Sequence, residues 1–300
     1  MRKVREILKI SIVNLLMTLF SGVLFGGIIS MDNRAIGVFD SGLGGLTVFR
    51  EIAAQLPGES MIYFGDSGRT PYGTKSKEIV VKYTQQDIRF LMGHDIKMVV
   101  MACNTMSAHS FEIVKKSLDV PIIEVIEAGA STAVAETRNK KIGVIGTSAT
   151  ISSGAYQKAI NKLDQNIEIY QKACPLFVPL VEEGQQWWES DVALRIAQEY
   201  LTPLKETGVD TLVLGCTHYP LLHRTITKVM GEEVRLVSSA LEVARVVKKT
   251  VLDKNMQGDK LHRPVYHYFT SDSIEKFEPL CSTILGQQIT SAEKVDIEKY

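Results

Sequence analysis

The chain has 300 residues, 45% hydrophobic and 23% charged, the make-up of a globular enzyme with one large domain or two of about 130 residues. Its 34 basic and 34 acidic side chains cancel, with a pI near 7.0, so it has no electrostatic footprint for nucleic acid and fits a small-molecule enzyme better. The four cysteines, Cys103, Cys174, Cys216 and Cys281, are widely spaced, with no C-x-x-C and no zinc-type Cys/His cluster, which excludes a disulfide framework and fits a reducing compartment.

The first thirty residues stand apart. Arg2, Lys3, Arg5 and Lys9 precede an uncharged run over 11–30, in the manner of a signal or membrane anchor, but no small-residue cleavage site follows. The expectation is an N-terminal extension over 1–30, with the functional protein starting at Met31; a membrane association depends on that extension being genuine. From Arg34 onward short apolar runs alternate with amphipathic stretches. The runs AIGVFD (35–40), SMIYFGD (60–66), KMVVMAC (97–103) and PIIEVI (121–126) come first. They are followed by KIGVIGT (141–147), IEIYQKAC (167–174), TLVLGC (211–216), VRLVSS (234–239) and VYHYFTS (265–271). Their β-branched content and weak alternation predict parallel strands buried on both faces. Helix-like stretches at 47–56, 76–92, 151–163 and 190–206 lie between them, so the fold class is α/β with mainly parallel sheets.

The chain also echoes itself. IGVFDSGLGGLTV in one half and IGVIGTSATISSG in the other each read as a strand ending in a small polar turn that opens a helix. Each half later carries an apolar strand ending in cysteine, VVMACNTMSA and LVLGCTHYPLL, 66 residues after Gly37 and 73 after Gly143. Two such units would set two turns and two cysteines face to face. Ligands of open α/β sheets bind beyond the carboxyl ends of the strands. The polar clusters Asp40-Ser41, Asp66, Cys103-Asn104-Thr105, Thr147-Ser148 and Cys216-Thr217-His218 all stand at such ends. Helix N-termini there would bind a carboxylate and lower the pKa of a thiol.

Cys174 and Cys281 read as small buried hydrophobes. Cys103 and Cys216 each end an apolar strand and are followed by two hydrogen-bonding residues, which suits proton transfer. Stereoinversion at carbon needs a base on one face and an acid on the other, and a thiolate–thiol pair can exchange those roles. Asp40 on the Cys103 side and His218 beyond Cys216 are candidate tuning groups; as alternatives, Asp40 could cap a helix and His218 could be an ordinary loop histidine.

At FDSGLGGLTV, FGDSGRTPYG, ACNTMSAHS, IGVIGTSATISSGAY, CPLFVPLVEEG and LGCTHYPLL the sequence resembles the glutamate racemase family, within the aspartate/glutamate racemase superfamily. The segments run in family order over most of the chain after Met31. The resemblance implies two α/β domains, 31–127 with 241–300 and 128–240, and a site between them. It implies racemisation that needs no cofactor and no metal, with Cys103 and Cys216 as the catalytic thiols. Substrate contacts would come from Asp40, Ser41, Tyr72, Gly73, Asn104, Thr105, Thr217 and His218. The Tyr72-Gly73 turn would hold the side-chain end of the substrate, and Glu182 or Glu183 would assist Cys216 or the substrate ammonium. It further implies a homodimer in the bacterial cytoplasm that supplies D-glutamate for peptidoglycan. TSDS at 270–273 departs from the family's turn. An aspartate racemase of the same superfamily, a pyridoxal-phosphate racemase and a non-catalytic amino-acid binder are the competing readings. No lysine sits in a setting that suggests a Schiff base, and a binder has no need of two thiol motifs.

Overall fold

A computed structural model describes residues 31–259, 261 and 263–300; the extension expected at 1–30 lies outside them. Among the described residues no helix is long and apolar enough to cross a membrane.

Two sheets organise the chain. The first joins β1 (Ala35–Asp40), β2 (Met61–Gly65), β3 (Ile96–Met101) and β4 (Ile122–Glu124) with the late strands β9 (Tyr266–Thr270) and β10 (Ala292–Lys294), in the order β10-β9-β2-β1-β3-β4. The second joins β5 (Lys141–Gly146), β6 (Glu168–Ala173), β7 (Thr211–Gly215) and β8 (Arg235–Ser238), in the order β6-β5-β7-β8. Every pairing is parallel. The continuous apolar runs are explained by burial on both faces: β2, β3 and β7 are buried along their whole length. Edge strand β6 is covered on fewer sides and is correspondingly more polar.

The internal echo is topological. The sequence β2-β1-β3-β4 in the first sheet repeats as β6-β5-β7-β8 in the second. In each sheet the chain crosses to one side of the central strand and then returns to the other, so a crevice opens between β1 and β3 and again between β5 and β7. The Asp40 and Cys103 turns close the first crevice; the Thr147 and Cys216 turns close the second. Strand β10 had no counterpart in the sequence reading. It is three residues long and has two exposed positions, so its apolar signal is weak.

Helices cover both sheets: α1 (Leu46–Gln55), α2 (Lys77–Met92), α3 (Asn104–Val114), α4 (Val125–Glu136), α5 (Ser148–Ser152), α6 (Ala155–Leu163), α7 (Phe177–Glu182), α8 (Asp191–Lys205), α9 (His223–Met230), α10 (Ser239–Asp253) and α11 (Ile274–Leu285). Helix α4 starts where the Glu124 carboxylate accepts the N–H groups of Ile126 at 2.6 Å and Glu127 at 2.7 Å, satisfying two otherwise unpaired donors. Helix α10 packs on both α1 and α4 as the chain leaves the second sheet.

Candidate active site

The two crevices face one another across a small cavity. Ser41, Tyr72, Gly73, Cys103, Asn104 and Thr105 line it from the first sheet, and Cys216, Thr217 and His218 from the second. Cross-links hold the halves together around it. The Thr105 hydroxyl meets those of Thr147 at 2.9 Å and Thr150 at 3.2 Å, and the Tyr156 hydroxyl donates to Asn104 Oδ1 at 2.7 Å. Closeness is also sterically enforced. A Cβ on Gly73 would come within 2.4 Å of Thr147 Cβ, and one on Gly44 within 2.4 Å of Thr217 Oγ1 and 2.5 Å of His218 Nδ1.

Cys103 is the N-cap of α3 and donates to Ser41 Oγ at 3.5 Å. Burial pushes its thiol up to about 12, the Asp40 carboxylate adds to the rise, and the nearby Ser41 hydroxyl and Met106 N–H oppose it. The helix N-terminus therefore acts in the direction expected from sequence, but burial outweighs it and the net shift is upward, the reverse of the expectation. Cys216 is placed differently. Instead of an α-helix, a 3-10 turn over Tyr219–Leu222 follows it, with Pro220 in the first turn. Its sulfur faces His218 Nδ1 at 3.7 Å, and His218 Nε2 lies 2.9 Å from Glu182 Oε1. Burial alone would lower the His218 pKa, but Cys216 and Glu182 on its two nitrogens overcome that and raise it well above the ordinary histidine value.

Asp40 lies beneath the cavity floor, fully buried. Its carboxylate accepts from the Gly42 N–H at 3.1 Å and from the Thr217 hydroxyl at 3.2 Å, tying the two strand-end turns together. It is not the N-cap of α1, a position held by Gly45. Burial raises its pKa, with the charge of His218 opposing.

Glu182, at the end of α7, touches His218; Glu183 turns into a neighbouring cleft of about 740 Å³ that also borders Glu182 and Thr70. Tyr72 is buried, and its hydroxyl points away from the cavity to the Asp66 carboxylate. Ser271, in the departing TSDS turn, donates to Asp66 Oδ1 at 2.6 Å and accepts from the Gly68 N–H at 2.9 Å. Cys174 and Cys281 are buried elsewhere, each pushed up to about 12 by burial. Thr70, Val178, Thr150 and Tyr156 belong to the site or its support and were missed from sequence. Val178 carries no polar signal, whereas Thr150 and Tyr156 stand in GTSATISSGAY, where the strand-end turn was the available clue.

Residues 36–247 match the model of the Asp/Glu/Hydantoin racemase family. The glutamate racemase of Geobacter metallireducens is 49% identical over 273 residues, covering 89% of this chain and 98% of that protein. The chain belongs to the Asp/Glu/hydantoin racemase family. Racemases of this family also share its three-dimensional form. A glutamate racemase isoform of Bacillus anthracis superposes with a TM-score of 0.84 at 40% identity, covering 88% of this chain and 98% of that one. The glutamate racemase of Francisella tularensis, solved with D-glutamate, superposes with a TM-score of 0.83 at 36% identity, covering 90% and 100%. Both sulfurs that the racemase fold brings to the cavity come from pseudo-equivalent strand ends, after β3 and after β7.

Proposed function

We propose that the chain interconverts L- and D-glutamate without a cofactor, by proton transfer at Cα between Cys103 and Cys216. The observation that carries this reading is the pair of thiols on one cavity, each in a different setting: Ser41 and the N-terminus of α3 beside Cys103, and His218, itself held by Glu182, beside Cys216. The glutamate racemases that the chain matches over nearly their full length support glutamate as substrate.

The chemistry follows from the two environments. Cys103, held up to about 12, is a thiol at neutral pH and can donate a proton. An imidazolium at His218 is the charge partner of a Cys216 thiolate, which can accept one. The Cys216 sulfur takes the Cα proton and the bond's electron pair stays on the substrate. The Cys103 thiol then delivers a proton to the opposite face, leaving the roles exchanged. Negative charge spreads onto the α-carboxylate as the C–H bond breaks, and neutral donors fixed at the cavity stabilise it: Ser41, Asn104, Thr105 and Thr217. The Tyr72-Gly73 turn receives the side-chain carboxylate. Asp40 and Glu182 act as supporting groups, the first by holding Thr217 and the second through His218.

The division into 31–127 with 241–300 and 128–240 is supported by the two sheets, although both boundaries fall within the first turn of a helix, α4 or α10. A homodimer, a cytoplasmic location and supply of D-glutamate for peptidoglycan belong to the same proposal.

The test is incubation with L-glutamate in D2O without added cofactor, following optical rotation and Cα deuterium together. Rotation that falls as deuterium enters the product is expected, and Cys103→Ala and Cys216→Ala should each abolish it while the protein stays folded. Each single variant should still eliminate a leaving group from one enantiomer of a suitable analogue. Turnover of aspartate alone would move the substrate, and wild-type rates in either cysteine variant would overturn the two-thiol mechanism.

A further inference from the structure

Tyr156 does not line the cavity, yet its hydroxyl donates to Oδ1 of Asn104, which does. An asparagine amide has a donor end and an acceptor end of nearly the same shape, and a carboxylate is received in opposite ways by the two. Asn104 is 2% exposed, and its Nδ2 has no partner among the described residues. A buried amide donor without an acceptor calls for an explanation, and an anionic group in the cavity supplies one.

The opposite orientation would turn the NH2 to Tyr156 and the carbonyl oxygen to the cavity. Tyr156 opposes it. Its phenol proton is already committed to Asn104 Oδ1 at 2.7 Å. With the amide flipped, Asn104 would donate to the phenol oxygen instead, and the phenol proton would lose the acceptor it now has, in a side chain only 1% exposed. The hydrogen bond therefore has one direction, from the Tyr156 hydroxyl to Asn104 Oδ1. It also spans the two sheets, since Tyr156 belongs to α6 and Asn104 to α3.

We infer that Tyr156 is a positioning residue that fixes the Asn104 amide with its donor toward the cavity, so that a substrate carboxylate meets N–H rather than C=O. The inference deepens the racemase reading and rests on Asn104 being a substrate contact. It concerns the polarity of one amide, and its consequence is a change in substrate affinity larger than the change in turnover.

The experiment measures KM and kcat for glutamate in the full chain carrying Tyr156→Phe, Asn104→Ala or both, with thermal melting in parallel. Tyr156→Phe should raise KM about tenfold, the scale of one hydrogen bond to a charged group, and change kcat less than threefold. In the Asn104→Ala background the same substitution should leave KM unchanged, because its only route to the substrate is gone. An unchanged KM in Tyr156→Phe, or an equal rise with and without Asn104, would overturn the inference while leaving the racemase reading intact. Should Asn104→Ala itself keep the wild-type KM, the substrate contact and the inference fall together. Asn104→Asp is the second variant, used if Tyr156→Phe fails to fold; it puts an oxygen where the unpartnered N–H stands and should raise KM more than Asn104→Ala does, and an equal or smaller rise would overturn the inference.

Discussion

Glu182 holds Oε1 2.9 Å from Nε2 of His218, and so aims the opposite ring nitrogen at the Cys216 sulfur, 3.7 Å away. The pair explains how a fully buried imidazole keeps its proton. Burial lowers the His218 pKa, and the partners on both nitrogens together reverse the sign. Because the folded value lies above the unfolded one, this proton stabilises the protein fully below about pH 6.5 and is lost as pH rises through the folded value. Glu182→Gln removes one of the two partners. The alkaline limb of kcat/KM should move to lower pH, and each unit of movement costs about tenfold at a fixed alkaline pH. Glu183→Gln, in the neighbouring cleft, should leave the limb in place. A pH–rate profile of the two variants decides this; an unmoved limb in Glu182→Gln would remove Glu182 from the proton-transfer apparatus.

Arg69 stands behind the Tyr72-Gly73 turn and neutralises two fully buried carboxylates. It bonds Asp66 at 2.6 Å and Asp87 at 3.1 Å, with Gln86 at 2.7 Å and Glu298 at 3.1 Å completing the guanidinium, while Tyr72 donates to Asp66. Burial raises the Asp87 pKa well above its ordinary value, Asp66 adds to the rise, and Arg69 opposes it. A raised folded pKa favours folding below the unfolded value near 3.8 and weighs against it as pH rises through the folded value. Arg69→Met should therefore destabilise most at neutral pH, by about 3–5 kcal/mol, and least in acid. Urea unfolding at two pH values measures it, and a loss that grows toward acid would contradict the argument. The loosened turn should also raise KM for glutamate.

Much of this was legible in the sequence, and the reasons differ from element to element. Strands β1, β3, β5 and β7 were readable because burial on both faces forces a continuous apolar run. The residues at their ends were readable because a polar cluster right after such a run has few other uses. What escaped has a physical cause. Val178 lines the cavity with an apolar side chain that sequence cannot tell from core. Tyr156 acts at one remove, through Asn104, and nothing in its own neighbours announces a contact 52 positions away. The thiol of Cys103 was misjudged because a motif reports the helix N-terminus next to it but not the depth of burial, which is the larger influence. The choice between Glu182 and Glu183 needed the direction in which α7 ends.

Gly44 sets how closely α1 approaches the Cys216 turn. A methyl group there would stand 2.4 Å from Thr217 Oγ1 and 2.5 Å from His218 Nδ1, separations that atoms do not sustain. The turn has little freedom to retreat, since Thr217 is held by Asp40 and His218 by Glu182. Gly44→Ala should thus displace the His218 ring from the sulfur and lower kcat about 100-fold or more, the order expected for misplacing a catalytic group by an ångström. Circular dichroism should show the fold retained. A near-normal kcat would mean that the halves can separate by that amount without cost to the chemistry.

Lys97 tests the converse, a buried charge with no part in the site. It is the second residue of β3, at the end of the strand remote from Cys103, and its side chain is 0% exposed. Its ammonium donates to the carbonyls of Asp32 at 2.6 Å and Met256 at 2.7 Å and pairs with Glu59, whose other oxygen accepts from the Gly258 N–H at 3.0 Å. One cation thereby fastens the chain entering β1 and the chain leaving α10 to the base of the first sheet. Lys97→Met keeps the aliphatic bulk but strands Glu59 and two carbonyls, so a loss of about 3–5 kcal/mol is expected. Because the disruption lies at the far ends of the strands, kcat and KM of the folded protein should stay within twofold of wild type. Denaturant midpoints together with kinetics below the transition separate the two effects. A large drop in kcat at full folding would mean that the base of the sheet and the thiol turn are mechanically coupled through β3.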